Sequence, residues 1–325
     1  MKAGKRDGVV SLLALGLALM PLHAVAAQGY PNKPVRVIVA SGPGGGLDFV
    51  ARLVSPRLGE TLGQSVVVDN RAGASGSIAA ELTAQAAPDG YTLILLSASL
   101  VVYGAVNKTR YDLFRDFAPV TQIAAGPYLL TVTNSLPLKS VKELVAHAKA
   151  SPGKLNYAST GNASLAHLAT EWFSILTGPP LVHVPYKGVG AALPDMLSGQ
   201  LHMSLLSVAS VYGHVRAGRL RALAIASEKR AKIAPEIPTL IESGVPGYKV
   251  TQWHGLLAPR ATPRPIIERL QGEVVKALQH PDVSTRLSAD GTEAVGSTPV
   301  EFAAHLKFEH DTWSKVAKQT GLRVD

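Results

Sequence analysis

The chain has 325 residues, of which 46% are hydrophobic and 17% charged, with a formal net charge of +9 and no cysteine. A chain without cysteine has no disulfide, no thiolate nucleophile and no thiolate metal site. Its Lys and Arg residues are scattered without interleaved aromatics, so the positive balance reads as a solvated surface that mildly attracts anions rather than a nucleic-acid groove, and no nucleic-acid partner is expected.

Lys2, Lys5 and Arg6 precede an apolar run over 9–22, and Ala24-Val25-Ala26 follows it. This is the pattern of a secretory signal peptide, residues 1–26, cleaved after Ala26. The run holds Gly16 and Pro21 and is shorter than the ~20 residues of a spanning helix. Its removal leaves a charge of +7 and a product destined for the outside of the cytoplasm. Roughly 300 residues remain, which predicts two lobes, stabilised by packing alone.

A short apolar strand over 35–40 runs into Ser41-Gly42-Pro43-Gly44-Gly45-Gly46-Leu47-Asp48, and a helix carrying Phe49, Val50, Leu53 and Val54 follows to about 62. Glycine lets a ligand approach bare backbone N–H groups at a helix N-terminus, so this loop suits an anion. A dinucleotide fingerprint starting at Gly42 and Gly44 needs glycine at the position of Leu47, and the Gly-Lys-Ser/Thr of a phosphate-binding P-loop is absent. Asp69 imitates a ribose-binding acid at the end of a strand over 65–69, but without the glycine pattern no nucleotide cofactor is expected. Pro56 inside the first helix predicts a bend or an irregular turn.

A helix over 77–86, the turn Pro88-Asp89-Gly90 and a strand over 91–96 complete a β-α-β-α series, which implies a parallel, doubly wound sheet. A second series opens with a strand over 128–133. Ser140 and Glu143 form a capping box for a helix to Ala150, which Ser151-Pro152-Gly153 ends. A strand over 155–158 then leads through Ser159-Thr160-Gly161-Asn162-Ala163-Ser164 into a helix whose Leu165, Leu168, Ala169, Trp172, Phe173 and Leu176 keep helical spacing. The first loop's architecture is thus repeated. Strands over 181–184, 201–206, 220–226 and 249–253 continue the second lobe. Helices over 264–280, 281–289 and 299–318, with a strand over 293–295, return to the first. The expected division is lobe 1 over 27–126 and 254–325 and lobe 2 over 127–253, with crossovers near 125–127 and 251–255. Ligands of open parallel sheets lie beyond the carboxyl ends of the strands, so the two loops are expected to face each other across a cleft.

An exported serine hydrolase is the rival from another class, and its parts are missing. No G-x-S-x-G occurs, and Ser151-Pro152-Gly153-Lys154 is a turn that cannot set both side chains on one helical face. No H-E-x-x-H occurs, and His305 and His310 are spaced wrongly for one helix face, so no metal is expected.

Blocks along the whole chain carry a resemblance. They include Tyr30-Pro31-Asn32-Lys33-Pro34-Val35-Arg36, Pro43-Gly44-Gly45-Gly46-Leu47-Asp48, Val68-Asp69-Asn70-Arg71-Ala72-Gly73, Pro88-Asp89-Gly90-Tyr91-Thr92-Leu93, Asp116-Phe117-Ala118-Pro119-Val120, Leu155-Asn156-Tyr157-Ala158-Ser159-Thr160-Gly161, His183-Val184-Pro185-Tyr186-Lys187-Gly188, Leu220-Arg221-Ala222-Leu223-Ala224 and Trp253-His254-Gly255-Leu256-Leu257-Ala258-Pro259. In this order they make the chain similar to the extracytoplasmic solute receptors of tripartite tricarboxylate transporters, the Bug or TctC family. The resemblance implies a periplasmic-binding-protein-like (type II) Venus flytrap of two α/β lobes. It would close without catalysis on a small organic carboxylate, a di- or tricarboxylate or an aromatic acid, in the periplasm, as a monomer, and present it to membrane permease subunits. Presentation to a membrane sensor is the alternative.

The ligand residues implied are Pro43, Gly44, Gly45, Gly46 and Asp48 in the first loop and Ser159, Thr160, Gly161, Asn162 and Ser164 in the second. Ser97 and Ser99 beyond the strand over 91–96, and His167, Tyr186, Gly188 and His254, complete the set. Asp48 is also placed to cap its helix by accepting from N–H groups two or three residues on. His183 and His202 read as structural, and Asp195 as a first-turn carboxylate favouring the helix dipole. The chain departs from the family with Ala163 for a glycine, Leu205-Leu206 for a Phe-Asp pair and His254 for an aromatic. A lost acid and added apolar bulk point to a distal ligand end that is less cationic and more hydrophobic.

Overall fold

The computed structural model describes residues 29–320; the signal-peptide reading of residues 1–26 lies outside them. Strand β1 (Val35–Val39) pairs in parallel with β2 (Val66–Asn70) on one side and β3 (Thr92–Ser97) on the other. The apolar run Leu93–Leu96 is buried, as in a strand covered on both faces. Helix α1 (Gly46–Leu62) connects β1 to β2, and α2 (Ser77–Ala84) connects β2 to β3. Helix α3 (Ala98–Val106) follows β3 directly.

Strand β4 (Phe117–Thr133) has 17 residues. At about 3.3 Å per residue it is some 55 Å long, enough to serve two sheets. The second half of the molecule contains α4 (Val141–Ala150), β5 (Asn156–Ser159), α5 (Leu165–Thr177), β6 (Val182–Pro185), α6 (Val189–Ser198), β7 (Met203–Ser207), α7 (Val208–Arg216) and β8 (Leu220–Ile225). Strand β9 (Thr251–Pro259), α8 (Arg264–Gln279), α9 (Pro281–Ala289), β10 (Glu293–Ala294) and α10 (Pro299–Thr320) then close the chain.

The strand order is β2-β1-β3-β9-β4-β7-β5-β6, with β8 and β10 also on β4. Strand β4 pairs with β9 as far as Pro127↔Thr251, and from Tyr128 onward with β7 and β8. One unbroken strand therefore passes through the segment where the sequence suggested a crossover. Its first part was not legible as strand, because Pro119, Gly126 and Pro127 interrupt the apolar pattern; one register shift follows Pro119 and a second lies between Gln122 and Ala124, while Gly126 and Pro127 stay in register with β9. The sheet is mixed rather than purely parallel, since β9 is antiparallel to both β3 and β4.

Helix α1 runs through Pro56 as one element, and α6 does the same through Pro194, so neither proline breaks its helix. Helix α10 returns to the first half, where it packs on α3, but it also packs on α5 of the second. At that seam the half-buried Glu309 accepts from the indole N–H groups of Trp253 and Trp313, at 3.1 and 3.0 Å. Trp313 in turn stands edge-on to Trp172 of α5. Among the described residues no helix is long and apolar enough to cross a membrane.

Candidate functional site

The glycine loop leaves β1 and enters α1 with Gly45 as N-cap, in an extended conformation and without a side-chain cap. Gly44 before it takes a φ of +82°, which glycine alone adopts freely. Asp48 is buried, and it does not cap N–H groups further along the helix. Its carboxylate reaches backward instead, accepting from the N–H of Gly44 at 2.9 Å, from Asn70 Nδ2 at 2.9 Å and from Arg52 Nε at 3.0 Å. Burial alone would raise its pKa, but these donors hold it below the ordinary carboxylate value. Asp48 therefore fixes the loop from behind.

Two further helix ends arise without any loop. Ser97 is the last residue of β3 and the N-cap of α3; Ser207 is the last residue of β7 and the N-cap of α7. Neither side chain caps its helix, and the Ser207 hydroxyl pairs with that of Ser210 at 2.6 Å. Gly188 is the equally uncapped N-cap of α6. Gly45, Ser97, Gly188 and Ser207 all line one cavity of about 650 Å³ between the two halves. An uncapped helix start leaves free N–H donors and a partial positive charge. Four converge here, two from each half. By contrast, the side chains of Ser140 and Ser164 cap α4 and α5, and both residues lie outside the lining. A second groove of about 770 Å³ along α1 and β2 is flanked by Gly63, the C-cap of α1. A helix C-terminus has the wrong polarity for an anion.

Of the residues expected at the ligand, the cavity lining brings together Pro43, Gly44, Gly45, Gly46, Ser97, Ser99, Thr160, Gly188 and His254. Asp48, Ser159, Gly161, Asn162, Ser164, His167 and Tyr186 are not among the lining residues. Several of them hold the second loop in shape. The Ser159 hydroxyl is 2.6 Å from His183 Nε2 and bonds both the N–H and the C=O of Gly161. Ser164 caps α5 by accepting from the N–H of His167 at 3.3 Å. His167 is buried, its Nδ1 accepting from the N–H of Ala163 at 3.1 Å. Tyr186 donates its hydroxyl to Asp195 at 2.5 Å. Asp195 is the seventh residue of α6 rather than a first-turn residue, so it orients Tyr186 instead of favouring the helix dipole.

The crossover strands form the floor. Tyr128 donates to the side-chain Oε1 of Gln252 at 3.4 Å, and Gln252 Nε2 lies 3.5 Å from His254 Nε2. His254 is buried, and desolvation lowers its pKa to about 4, so it is neutral at pH 7. Lys187 is the one cation in the lining among the described residues, and Asp290, whose pKa burial raises, is the one anion. Leu206 reaches the cavity, whereas Leu205 is core. The acid missing at Leu206 is thus offset by one from the α9–β10 turn, which tempers the expectation of a wholly apolar distal end. That turn, together with Gln252, Ser207 and Ser210, was missed from sequence. Only the serines ending apolar strands carried a readable signal. No group of three or more His, Cys, Asp or Glu among the described residues could hold a metal ion.

Comparison with known proteins places this geometry. The profile described as the tripartite tricarboxylate transporter family receptor matches residues 50–322. Protein BugT of Bordetella pertussis is 37% identical over 303 residues, which is 92% of this chain and 93% of that protein. The solved structure of R. palustris Rpa4515 with adipate is 37% identical and superposes with a TM-score of 0.84, covering 90% of this chain and 99% of that one. MatC from Rhodopseudomonas palustris with bound malate is 33% identical with a TM-score of 0.81, over 88% of this chain and 99% of that one. The fold is that of a two-lobed periplasmic binding protein of type II.

Proposed function

The chain belongs to the tripartite tricarboxylate transporter receptor family, and from that premise we propose that it captures a small organic carboxylate between two lobes and delivers it, unchanged, to membrane permease subunits. The lobes are 27–126 with 254–325, and 127–253. The receptor acts in the periplasm, as a monomer, after loss of residues 1–26. Dicarboxylates are the first candidates, because the protein with adipate and the protein with malate are both close in sequence and shape.

The observation that carries this reading is the convergence of four uncapped helix N-termini on one cavity, with two contributed by each half. One helix end contributes about 0.3–1 kcal/mol toward an anion in exposed settings, and up to ~2 kcal/mol when partly buried. Four together give about 1–4 kcal/mol in exposed settings and approach the ~8 kcal/mol of micromolar binding only at the partly buried ceiling, with hydrogen bonds and cavity contacts supplying the rest. Because the donors come from both halves, an anion contacts all of them only when the halves approach. It thereby stabilises the closed population. Pro43, the glycines 44–46, Ser97, Ser99, Thr160, Gly188 and His254 are the proposed contacts. Asp48, Ser159, Gly161, Ser164 and His167 shape the loops, and Tyr186 braces the approach to Gly188.

The test is a thermal-shift screen of the mature protein against mono-, di- and tricarboxylates, aromatic acids and amino acids, followed by calorimetry. At a hundred times its dissociation constant a true ligand adds about 2.7 kcal/mol of stability. Failure of every carboxylate to shift the transition, or turnover of a bound acid, overturns the reading.

A further inference from the structure

The two facing loops are built on one device. In α1 and in α5 the third helical residue reaches back past the N-cap and takes the N–H of the residue before it. Asp48 takes that of Gly44 at 2.9 Å, and His167 Nδ1 takes that of Ala163 at 3.1 Å. Both residues so held have left-handed backbones, φ +82° at Gly44 and +53° at Ala163. Helix α4 uses the same device, with Glu143 accepting from the N–H of Lys139 at 2.6 Å. Two of the three acceptors are carboxylates, as is common for a third helical residue that reaches back toward its N-cap, and the second loop depends on an imidazole instead.

An imidazole nitrogen accepts only while it is unprotonated. His167 lies flat on His183, with ring centroids 3.7 Å apart and planes within 9°, and His183 stacks in turn on Tyr157 at 5.0 Å. His183 Nε2 meets the Ser159 hydroxyl, which ties down Gly161. The neighbouring carboxylate, Glu171 of α5, is engaged by the Tyr157 hydroxyl at 2.5 Å. Among the described residues no acid is bonded to either imidazole, and one added proton on Nδ1 breaks the His167–Ala163 bond.

We infer that His167, backed by His183, is a positioning residue that makes anion capture in this cleft sensitive to acid: the neutral pair holds the 159–164 loop in its binding form, and protonation releases it. The inference rests on the proposed function in taking that loop as part of the site. Burial lowers both imidazoles to about 4, whereas a released loop takes up protons at the ordinary value of about 6.5. The held form is thus fully favoured above pH ~6.5 and loses its advantage as pH falls toward ~4.

The experiment measures adipate binding by calorimetry at pH 7.5 and 5.5 for the mature protein, His167→Gln and His167→Leu. Exchange of the Ala163 amide is followed in the ligand-free forms, corrected for its intrinsic rate. Glutamine accepts through its amide oxygen at both pH values, so adipate's own titration cancels in the comparison. The expected result is that the natural protein loses several-fold, up to about tenfold, more affinity than His167→Gln on acidification. Its Ala163 protection should fall in parallel, and that of His167→Gln should stay constant. His167→Leu should bind about tenfold more weakly at pH 7.5. Equal acid losses in the natural protein and His167→Gln, or unchanged Ala163 protection, overturn the inference. If adipate binds to none of the forms, the function reading loses that ligand while Ala163 exchange still decides the role of His167.

Discussion

Placing a carboxylate at Gly45 should push stability and binding in opposite directions. Gly45 is the uncapped N-cap of α1, its φ of −83° and ψ of 168° suit any residue, and an added Cβ would meet only the Gly42 carbonyl oxygen, at 3.8 Å. In Gly45→Asp the new side chain accepts from the free N–H groups of the first turn. Replacing glycine at an N-cap gains a few tenths of a kcal/mol, and the helix dipole adds about 0.3–1 kcal/mol. The ligand-free protein should therefore melt about 1–3 °C higher. The same carboxylate occupies the donors that a bound acid needs and repels it. Two unit charges about 5 Å apart at an effective dielectric constant near 20 interact by about 3 kcal/mol, so affinity should fall roughly a hundredfold. Gly45→Ser caps without charge, and its loss should be nearer tenfold. Differential scanning calorimetry of the ligand-free proteins and isothermal titration with adipate measure the two quantities. Unchanged affinity in Gly45→Asp would refute the claim that the α1 N-terminus holds the anion, and a large fall in ligand-free stability would refute the description of Gly45 as an unstrained cap.

Lys187→Glu reverses the one cation that the described residues place in the lining, at an exposed position, so affinity for adipate should drop at least tenfold at low salt while the melting temperature stays within about a degree. Gly291 has a φ of +70°, and a Cβ there would lie 2.9 Å from Val208 Cγ1 and 3.2 Å from Ile233 Cγ2. Gly291→Ala should therefore cost about 2–4 kcal/mol in urea denaturation and displace the start of α7. His167, His183 and His254 each have a pKa lowered to about 4, so the unfolded chain binds more protons between about 4 and 6.5 and stability must fall with pH across that window. Urea midpoints at pH 7.5, 6, 5 and 4 check this, and a flat profile would show these imidazoles to be solvated.

Where the chain punctuates itself, its sequence is readable. The glycine run before Asp48, the Ser140–Glu143 capping box and the loop 159–164 each announce a helix start, and α1, α4 and α5 begin within two residues of the expected places. Helices α3 and α7 gave no such notice. Each follows its strand without an intervening residue and is rich in valine, so strand and helix run together with no turn or glycine between them. They nonetheless supply two of the four helix ends in the cleft: Ser97 and Ser99 were expected there as residues though not as a helix start, while Ser207 and Ser210 at the start of α7 were missed altogether. Lining and bracing roles were likewise inseparable from sequence. Ser159 and Thr160 are neighbours of the same chemical type, yet only Thr160 reaches the cavity; Ser159 ends β5 and its buried hydroxyl is engaged by His183 and Gly161, while Thr160 lies just beyond the strand.

The chain has three tryptophans, and all three gather around α10. Trp253 and Trp313 share Glu309, and Trp172 of the second half stands against Trp313. In the proposed closure, rotation of one half against the other would move Trp172 of α5 against Trp313 of α10. The proposed closure would thus carry its own optical gauge at the α10–α5 contact: intrinsic emission, recorded without dye or label, should change on ligand binding, and stopped-flow mixing would time the change.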